Sequence, residues 1–176
     1  VINRDEIEAS GPATLTELLQ RKAGVEIRAT GTAGQPAGVF MRGANSSHTL
    51  VLVDGMRVGS STTGATAFEH IPLDLIERIE IVKGPLSGLY GSDAIGGVVQ
   101  IFTRSAQRPR LTASVGAGSE SATSANVGFS ATEGKTSLTF DAGYRDVKAR
   151  SATTPAAGTF TFNGDRDPYR NTHALL

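Results

Sequence analysis

A chain of 176 residues, with 39% hydrophobic residues and 21 glycines, has room for one domain or one and a half. Its 17 Lys and Arg balance 17 Asp and Glu, so no field of one sign points to nucleic acid as a partner. Cys is absent, which removes disulfides and thiolate chemistry, and no apolar run approaches the ~18 to 20 residues of a membrane-spanning helix.

The chain starts Val-Ile-Asn-Arg-Asp, without Met or signal segment, and stops inside a pattern at His173-Ala174-Leu175-Leu176. The expectation is a fragment of a longer chain that is either soluble or spans a membrane by strands. Thr14 and Glu17 have capping-box spacing, Leu15, Leu18 and Leu19 share one helical face, and Gly24 supplies the stop, which predicts a short helix. Val25 to Ala29 reads as a strand and the Gly-rich Thr30 to Gly38 as a loop. Leu50 to Val53 and Met56 to Val58 flank Asp54-Gly55, a pair suited to a type I′ hairpin turn because both positions tolerate positive φ. Gly59 to Ala67, rich in small hydroxyl residues, reads as a second exposed loop. A turn of helix after Pro72, a strand near Arg78 to Val82, a helix opened by Pro85 and stopped by Gly91, and a strand at Gly97 to Thr103 follow. The first hundred residues thus form a small mixed α/β unit.

After Arg108-Pro109 the period changes to two. Leu111, Ala113, Val115 and Ala117 alternate with polar or small residues; so do Ala125, Val127, Phe129 and Ala131, and, beyond a turn at Glu133-Gly134-Lys135, Leu138, Phe140, Ala142 and Tyr144. Segments of about ten residues with this dyad pattern have the length of tilted transmembrane β-strands, one face to lipid and the other to a polar lumen. On periodicity alone an ordinary antiparallel sheet with one wet face is the commoner object. A long loop follows, roughly Asp146 to Pro168, and another strand begins near Tyr169.

Two blocks carry a resemblance. Ile71 to Arg104, IPLDLIERIEIVKGPLSGLYGSDAIGGVVQIFTR, resembles the end of the plug domain of TonB-dependent outer-membrane receptors, and Val39 to Val58, VFMRGANSSHTLVLVDGMRV, resembles the middle of the same plug at the family's spacing. The resemblance implies an α+β plug domain, a small mixed sheet with short helices, over residues 1–106. Over 107–176 it implies the first antiparallel strands of a transmembrane β-barrel, about three and the beginning of a fourth. The implied function is active transport in the bacterial outer membrane rather than enzyme catalysis, with no cofactor required. The implied partner is TonB, which pulls on a segment upstream of Val1. RGANSSHTLVLVDGMRV and GLYGSDAIGGVVQI are most similar to receptors for cobalamin (vitamin B12). A receptor for an iron-siderophore, haem or another nutrient is the alternative, and a barrel-free periplasmic binding or signalling module is the second.

Carried over by position, the ligand contacts are in the two loops: Thr30, Gln35, Ser60, Ser61, Thr62 and Thr63, whose amide and hydroxyl groups suit a large polar ligand. Arg42 and Lys83 match plug positions where the family places arginines that pair with barrel-wall glutamates. Lys at the second position departs from that pattern and cannot make a bidentate fork with carboxylate. Asp165 and Asp167 fall where an extracellular loop of cobalamin receptors supplies oxygen ligands to calcium. Against each stands an ordinary solvated loop or surface charge. Enzyme chemistry has little support: His48, His70 and His173 lack metal-ligand spacing, Ser87 lacks a Gly-x-Ser-x-Gly elbow, and no phosphate-binding Gly-x-x-x-x-Gly-Lys-Ser/Thr is present. Asn45-Ser46-Ser47 fits a glycosylation triplet of the kind frequent by chance.

Overall fold

The computed structural model describes residues 1–11, 14–22, 24–29, 35–60, 62–104, 109–134, 136–148 and 168–175. They fall into two compact units: Val1–Ala29 with Pro36–Arg104, and Thr30–Gln35 with Ser105–Leu176, the latter holding the strands from Arg110 onward.

The first unit opens with β1 (Ile2–Asn3), which runs directly into α1 (Arg4–Ser10). The Asn3 backbone N–H donates to Glu6 Oε2 at 2.9 Å, and Gly11 stops the helix at φ 53°. Sequence did not announce this helix, although Asn3 and Glu6 have capping-box spacing. α2 (Leu15–Lys22) is the helix expected: the Glu17 N–H donates to Thr14 Oγ1 at 3.2 Å, and Gly24 follows at φ 56°. Its leucines, Leu15, Leu18 and Leu19, are fully buried. β2 (Glu26–Ala29) pairs antiparallel with β3 (Ala37–Phe40). Ala37 and Gly38, expected in a loop, are therefore strand residues.

The main sheet contains β4 (Thr49–Val53), β5 (Met56–Arg57), β6 (Ile76–Lys83) and β7 (Gly97–Thr103), in the order β1-β6-β7-β4-β5. Only β4 and β7 are parallel neighbours; the other pairs are antiparallel. The Asp54-Gly55 turn forms as its chemistry demands, with φ 49° and 80°. Asp54 also ties the hairpin to the end of β7, its carboxylate accepting the Thr103 N–H at 2.8 Å and the Thr103 hydroxyl at 2.5 Å. The unbroken apolar run in β4 has a physical reason, because this strand is covered on both faces. Val51 joins Val99, Ile101, Ile76, Ile79 and the α2 leucines in the main core, whereas Leu50 and Leu52 join Val98 and Ala94 in a smaller cluster on the opposite face. A register shift between Ile76 and Arg78 lets Ile76 and Ile79, an odd number of residues apart, face the same core.

The second face is covered by the segment between β6 and β7. Its neck is closed by the Gly84 N–H donating to the Gly96 carbonyl at 3.1 Å and the Leu86 N–H donating to the Ala94 carbonyl at 2.8 Å. Within it α3 (Ser87–Tyr90) is a single turn that starts two residues later than Pro85 suggested, and Gly91 ends it at φ 89°. Arg57 of β5 pins this cover by pairing with Asp93 and donating to the Tyr90 carbonyl at 3.0 Å.

The second unit is a four-stranded antiparallel sheet of β8 (Arg110–Ala117), β9 (Thr123–Glu133), β10 (Thr136–Val147) and β11 (Tyr169–Leu175), in the order β11-β10-β9-β8. Its register aligns Leu111 with Phe129 and Phe140, Ala113 with Val127, Ala142 and Ala174, and Val115 with Ala125 and Tyr144. Directly opposed residues point to the same side, so these make one continuous apolar face. The face is exposed: Leu111 is 76% and Val115 91% accessible. The other face aligns Thr112 with Gly128 and Asp141, and Ser114 with Asn126, Gly143 and His173. There a carboxylate is buried, Asp141 at 5% accessibility. Among the described residues no helix is long and apolar enough to cross a membrane.

Candidate functional site

One end of the first unit brings together three segments. The 3-10 turn Ser46–His48, placed by the start of β4, lies between the other two. A Cβ added at Gly38 would stand 3.1 Å from the Ser46 Cβ, and one added at Gly64 would stand 3.4 Å from the Ser47 Cβ. The start of β3 and the turn after β5 therefore both pack on Ser46-Ser47. Sequence reading gave this dipeptide no functional role. Its small side chains are the signal, since they allow two glycine backbones to approach closely.

Of the six loop residues expected to contact ligand, Gln35, Ser60, Thr62 and Thr63 are described, while Thr30 and Ser61 lie outside the described residues. Gln35 is partly buried just before β3; Ser60, Thr62 and Thr63 are exposed. The turn carrying the last three is ordered by its own hydrogen bonds. Ser60 Oγ accepts the N–H groups of Thr62 at 3.3 Å and Thr63 at 3.2 Å. The Ser60 N–H donates to the Ala65 carbonyl at 2.9 Å, and the Gly64 N–H donates to the Ser60 carbonyl at 2.8 Å. Thr66 Oγ1 donates to the Val58 carbonyl at 2.7 Å and so closes the turn against the strand that leads into it. Serine recurs in such turns because its short hydroxyl reaches the backbone two and three residues on.

The two expected plug–barrel cations are neighbours in space. Arg42, at φ 52°, is exposed and has no hydrogen bond or ion pair among the described residues; its Nη1 would lie 3.6 Å from a Cβ at Gly84. Lys83, adjacent in sequence to that glycine, donates from Nζ to the Gly24 carbonyl at 3.3 Å. Asp165 and Asp167 lie outside the described residues, and no group of three or more His, Asp or Glu suited to a metal occurs among those described.

In the second unit the polar face holds a cluster that residue-by-residue reading missed. Asn126 Nδ2 donates to Asp141 Oδ1 at 2.8 Å, and His173 Nε2 lies 3.4 Å from the same oxygen. Gly128 and Gly143 make the space: a Cβ at Gly128 would come within 2.7 Å of Asp141 Oδ2, and one at Gly143 would collide with the His173 ring. The period-two pattern already placed Asn126 on the polar face; the pairing of β10 with β11 across a long connection was invisible to it.

A mixed sheet with two capped helices and a pinned cover, followed by an antiparallel sheet with its apolar face exposed, matches a known architecture. The family model for the TonB-dependent receptor plug domain matches residues 1–98, more than half of the chain, and the chain belongs to that family. The vitamin B12 transporter BtuB of Vibrio vulnificus strain CMCP6 is 44% identical over 127 residues, 72% of this chain and 21% of that protein. BtuB of Vibrio cholerae serotype O1 is 47% identical over 120 residues, 68% of this chain and 20% of that protein. The chain thus spans about a fifth of the length of these curated relatives. Among solved structures, the FrpB iron transporter of Neisseria meningitidis (F5-1 variant, apoprotein form) superposes with a TM-score of 0.71 at 16% identity. That match covers 99% of this chain and 28% of the transporter, and at such identity it establishes the fold.

Proposed function

We propose that this chain is the plug, to about residue 106, and the opening barrel strands of a bacterial outer-membrane receptor that binds cobalamin and imports it with energy delivered through TonB. The observation that carries the membrane part is the exposed apolar face of the second sheet, set against a polar face on which Asp141 is buried. A sheet in water does the reverse, and so would a barrel-free module. From Leu138 to Tyr144 the apolar rows extend about 20 Å at ~3.4 Å per residue, near the ~25 Å apolar band of outer-membrane barrels once the row at Tyr144 is taken as interfacial. The next row holds the ion pair of Asp146 with Arg170 at 3.1 Å, which suits a rim in water.

Cobalamin is favoured by the relatives' described substrate at 44–47% identity. From the first unit, Ser46, Ser47, Ser60, Thr62 and Thr63 would meet it. Arg42, free of partners among the described residues, would offer a bidentate fork to a barrel-wall carboxylate, and Lys83, already bonded to Gly24, a single weaker contact. TonB would supply work that an outer membrane without nucleotide or ion gradient lacks, acting on chain upstream of Val1. Equilibrium binding of cyanocobalamin to the complete receptor tests the reading. Saturable binding at nanomolar to micromolar ligand is expected, and its absence would leave an iron chelate, haem or another nutrient as cargo. Calcium at Asp165 and Asp167 is tested by isothermal titration of the receptor with and without Asp165→Ala; no heat of binding in either removes the ion.

A further inference from the structure

α1 carries one pair of charges against its own dipole. Arg4 opens the helix and Glu8 stands in its last turn, a cation and an anion at the ends that disfavour them, so their contact, Arg4 Nε to Glu8 Oε1 at 2.7 Å, is not explained by the helix itself. Both side chains reach elsewhere. Arg4 Nη1 donates to the carbonyls of Leu73 at 2.8 Å and Ile76 at 3.1 Å, at the entry to β6. The same Glu8 oxygen accepts from Arg104 Nη2 at 3.5 Å, and the Arg104 N–H donates to the Leu75 carbonyl at 2.9 Å. Both arginines are mostly buried, with 15% and 17% of their side chains accessible, whereas Glu8 is half exposed. One short turn, Leu73 to Ile76, thus anchors the leading segment of the first unit and its final residue, and the Glu8 carboxylate joins the two cations. β1, in contrast, holds β6 by two residue pairs alone.

We propose that Arg4, Glu8 and Arg104 form a clasp between the two ends of the plug, and that Glu8 is the positioning residue that sets how readily β1 and α1 are drawn out when the chain upstream of Val1 is pulled. This rests on the TonB reading and adds where the load falls. The first unit begins at Val1 and ends at Arg104, after which the chain enters the second. A pull on one end, against a barrel that holds the other, runs through whatever joins them. Arg4 and Arg104 share one carboxylate, so the load crosses the clasp before it reaches the core around β4 and β7. Loss of Glu8 removes the shared charge-assisted acceptor and leaves two mostly buried cations side by side. What such a contact governs is the rate at which a loaded structure opens rather than its stability at rest.

The complete receptor, held in a lipid bilayer, is pulled by a tag upstream of Val1, and the rate of the first extension step is read at fixed force. Glu8→Gln and Arg104→Gln should each raise that rate about fivefold or more, and the double variant should raise it little further, because both break one link. Glu17→Gln, which breaks the same kind of pair with Arg21 on α2, should leave the rate within about twofold. Leu50→Ala, in the smaller cluster on the opposite face of the sheet, should cost the plug more stability than Glu8→Gln, read by hydrogen exchange, and still leave the first step within about twofold. A merely stabilising role for Glu8 would reverse that order. Rates for Glu8→Gln and Arg104→Gln within about twofold of the unaltered receptor would overturn the proposal, as would a first step that follows stability across all the variants. Pulling needs no TonB, so these outcomes judge the clasp alone; import that persists in cells without TonB would instead fell the TonB reading beneath it.

Discussion

Leu18 and Leu111 are the same side chain in opposite circumstances. Leu18, on α2, is wholly buried with Ile7, Val51 and Ile79, whereas Leu111, on β8, is 76% accessible beside Phe129 and Phe140. The first unit is organised as water demands, apolar residues inside and charged ones outside. The second shows its apolar row to the surroundings and buries a carboxylate on the other side, an arrangement stable only where the surroundings are themselves apolar. One chain thus reads as made for two solvents, and the contrast can be broken at either end.

The largest effect belongs to the core of the first unit. Leu19→Ala should cost about 2 to 5 kcal/mol, seen as lost hydrogen-exchange protection in α2, while the chemically identical Leu111→Ala in water should cost under about 1 kcal/mol. Equal costs would mean that Leu111 is packed in a core after all. Next comes charge on the exposed face: Val127→Arg in the complete receptor folded into lipid vesicles should cost about 2 to 4 kcal/mol, the expectation for a cation near the bilayer midplane. A neutral outcome would place that face in water. The smallest effect is local. Thr14→Ala, which removes the acceptor for the Glu17 N–H, should destabilise α2 by about 1 kcal/mol and leave the second unit's strands unchanged, as exchange of the α2 first-turn amides would report.

What could be read from sequence depended on how local its cause was. Asp54-Gly55 carried its turn, Thr14 its cap, Leu15, Leu18 and Leu19 their face, and Gly97 to Thr103 its strand, because each rests on residues within one or two turns of chain. Beyond that range the signals failed. The register shift near Glu77 serves a core contributed by distant elements, and the hold of Arg57 on Asp93 joins residues 36 apart. Ala37 and Gly38 looked like loop because their composition is that of a loop, and only pairing with Ala29 and Arg28 makes them strand. The same holds for the candidate site. Its hydroxyl-rich turn was visible, but that Ser60 spends its hydroxyl on the backbone and that Ser46-Ser47 joins the start of β3 to the turn after β5 follow from three-dimensional approach alone.

The central claim, that the second sheet is a membrane wall with Val127 and Phe129 toward lipid, is open to one direct measurement. Nitroxide labels are placed singly at positions 125 to 130 in the complete receptor reconstituted in vesicles, after replacement of any cysteine outside these 176 residues, which have none themselves. Collision with oxygen, which concentrates in lipid, and with a water-soluble nickel chelate is then compared at each site. The account predicts a period of two, with positions 125, 127 and 129 accessible to oxygen and shielded from nickel, and 126, 128 and 130 not favouring oxygen. Nickel access at 127 and 129, or no alternation at all, would contradict it.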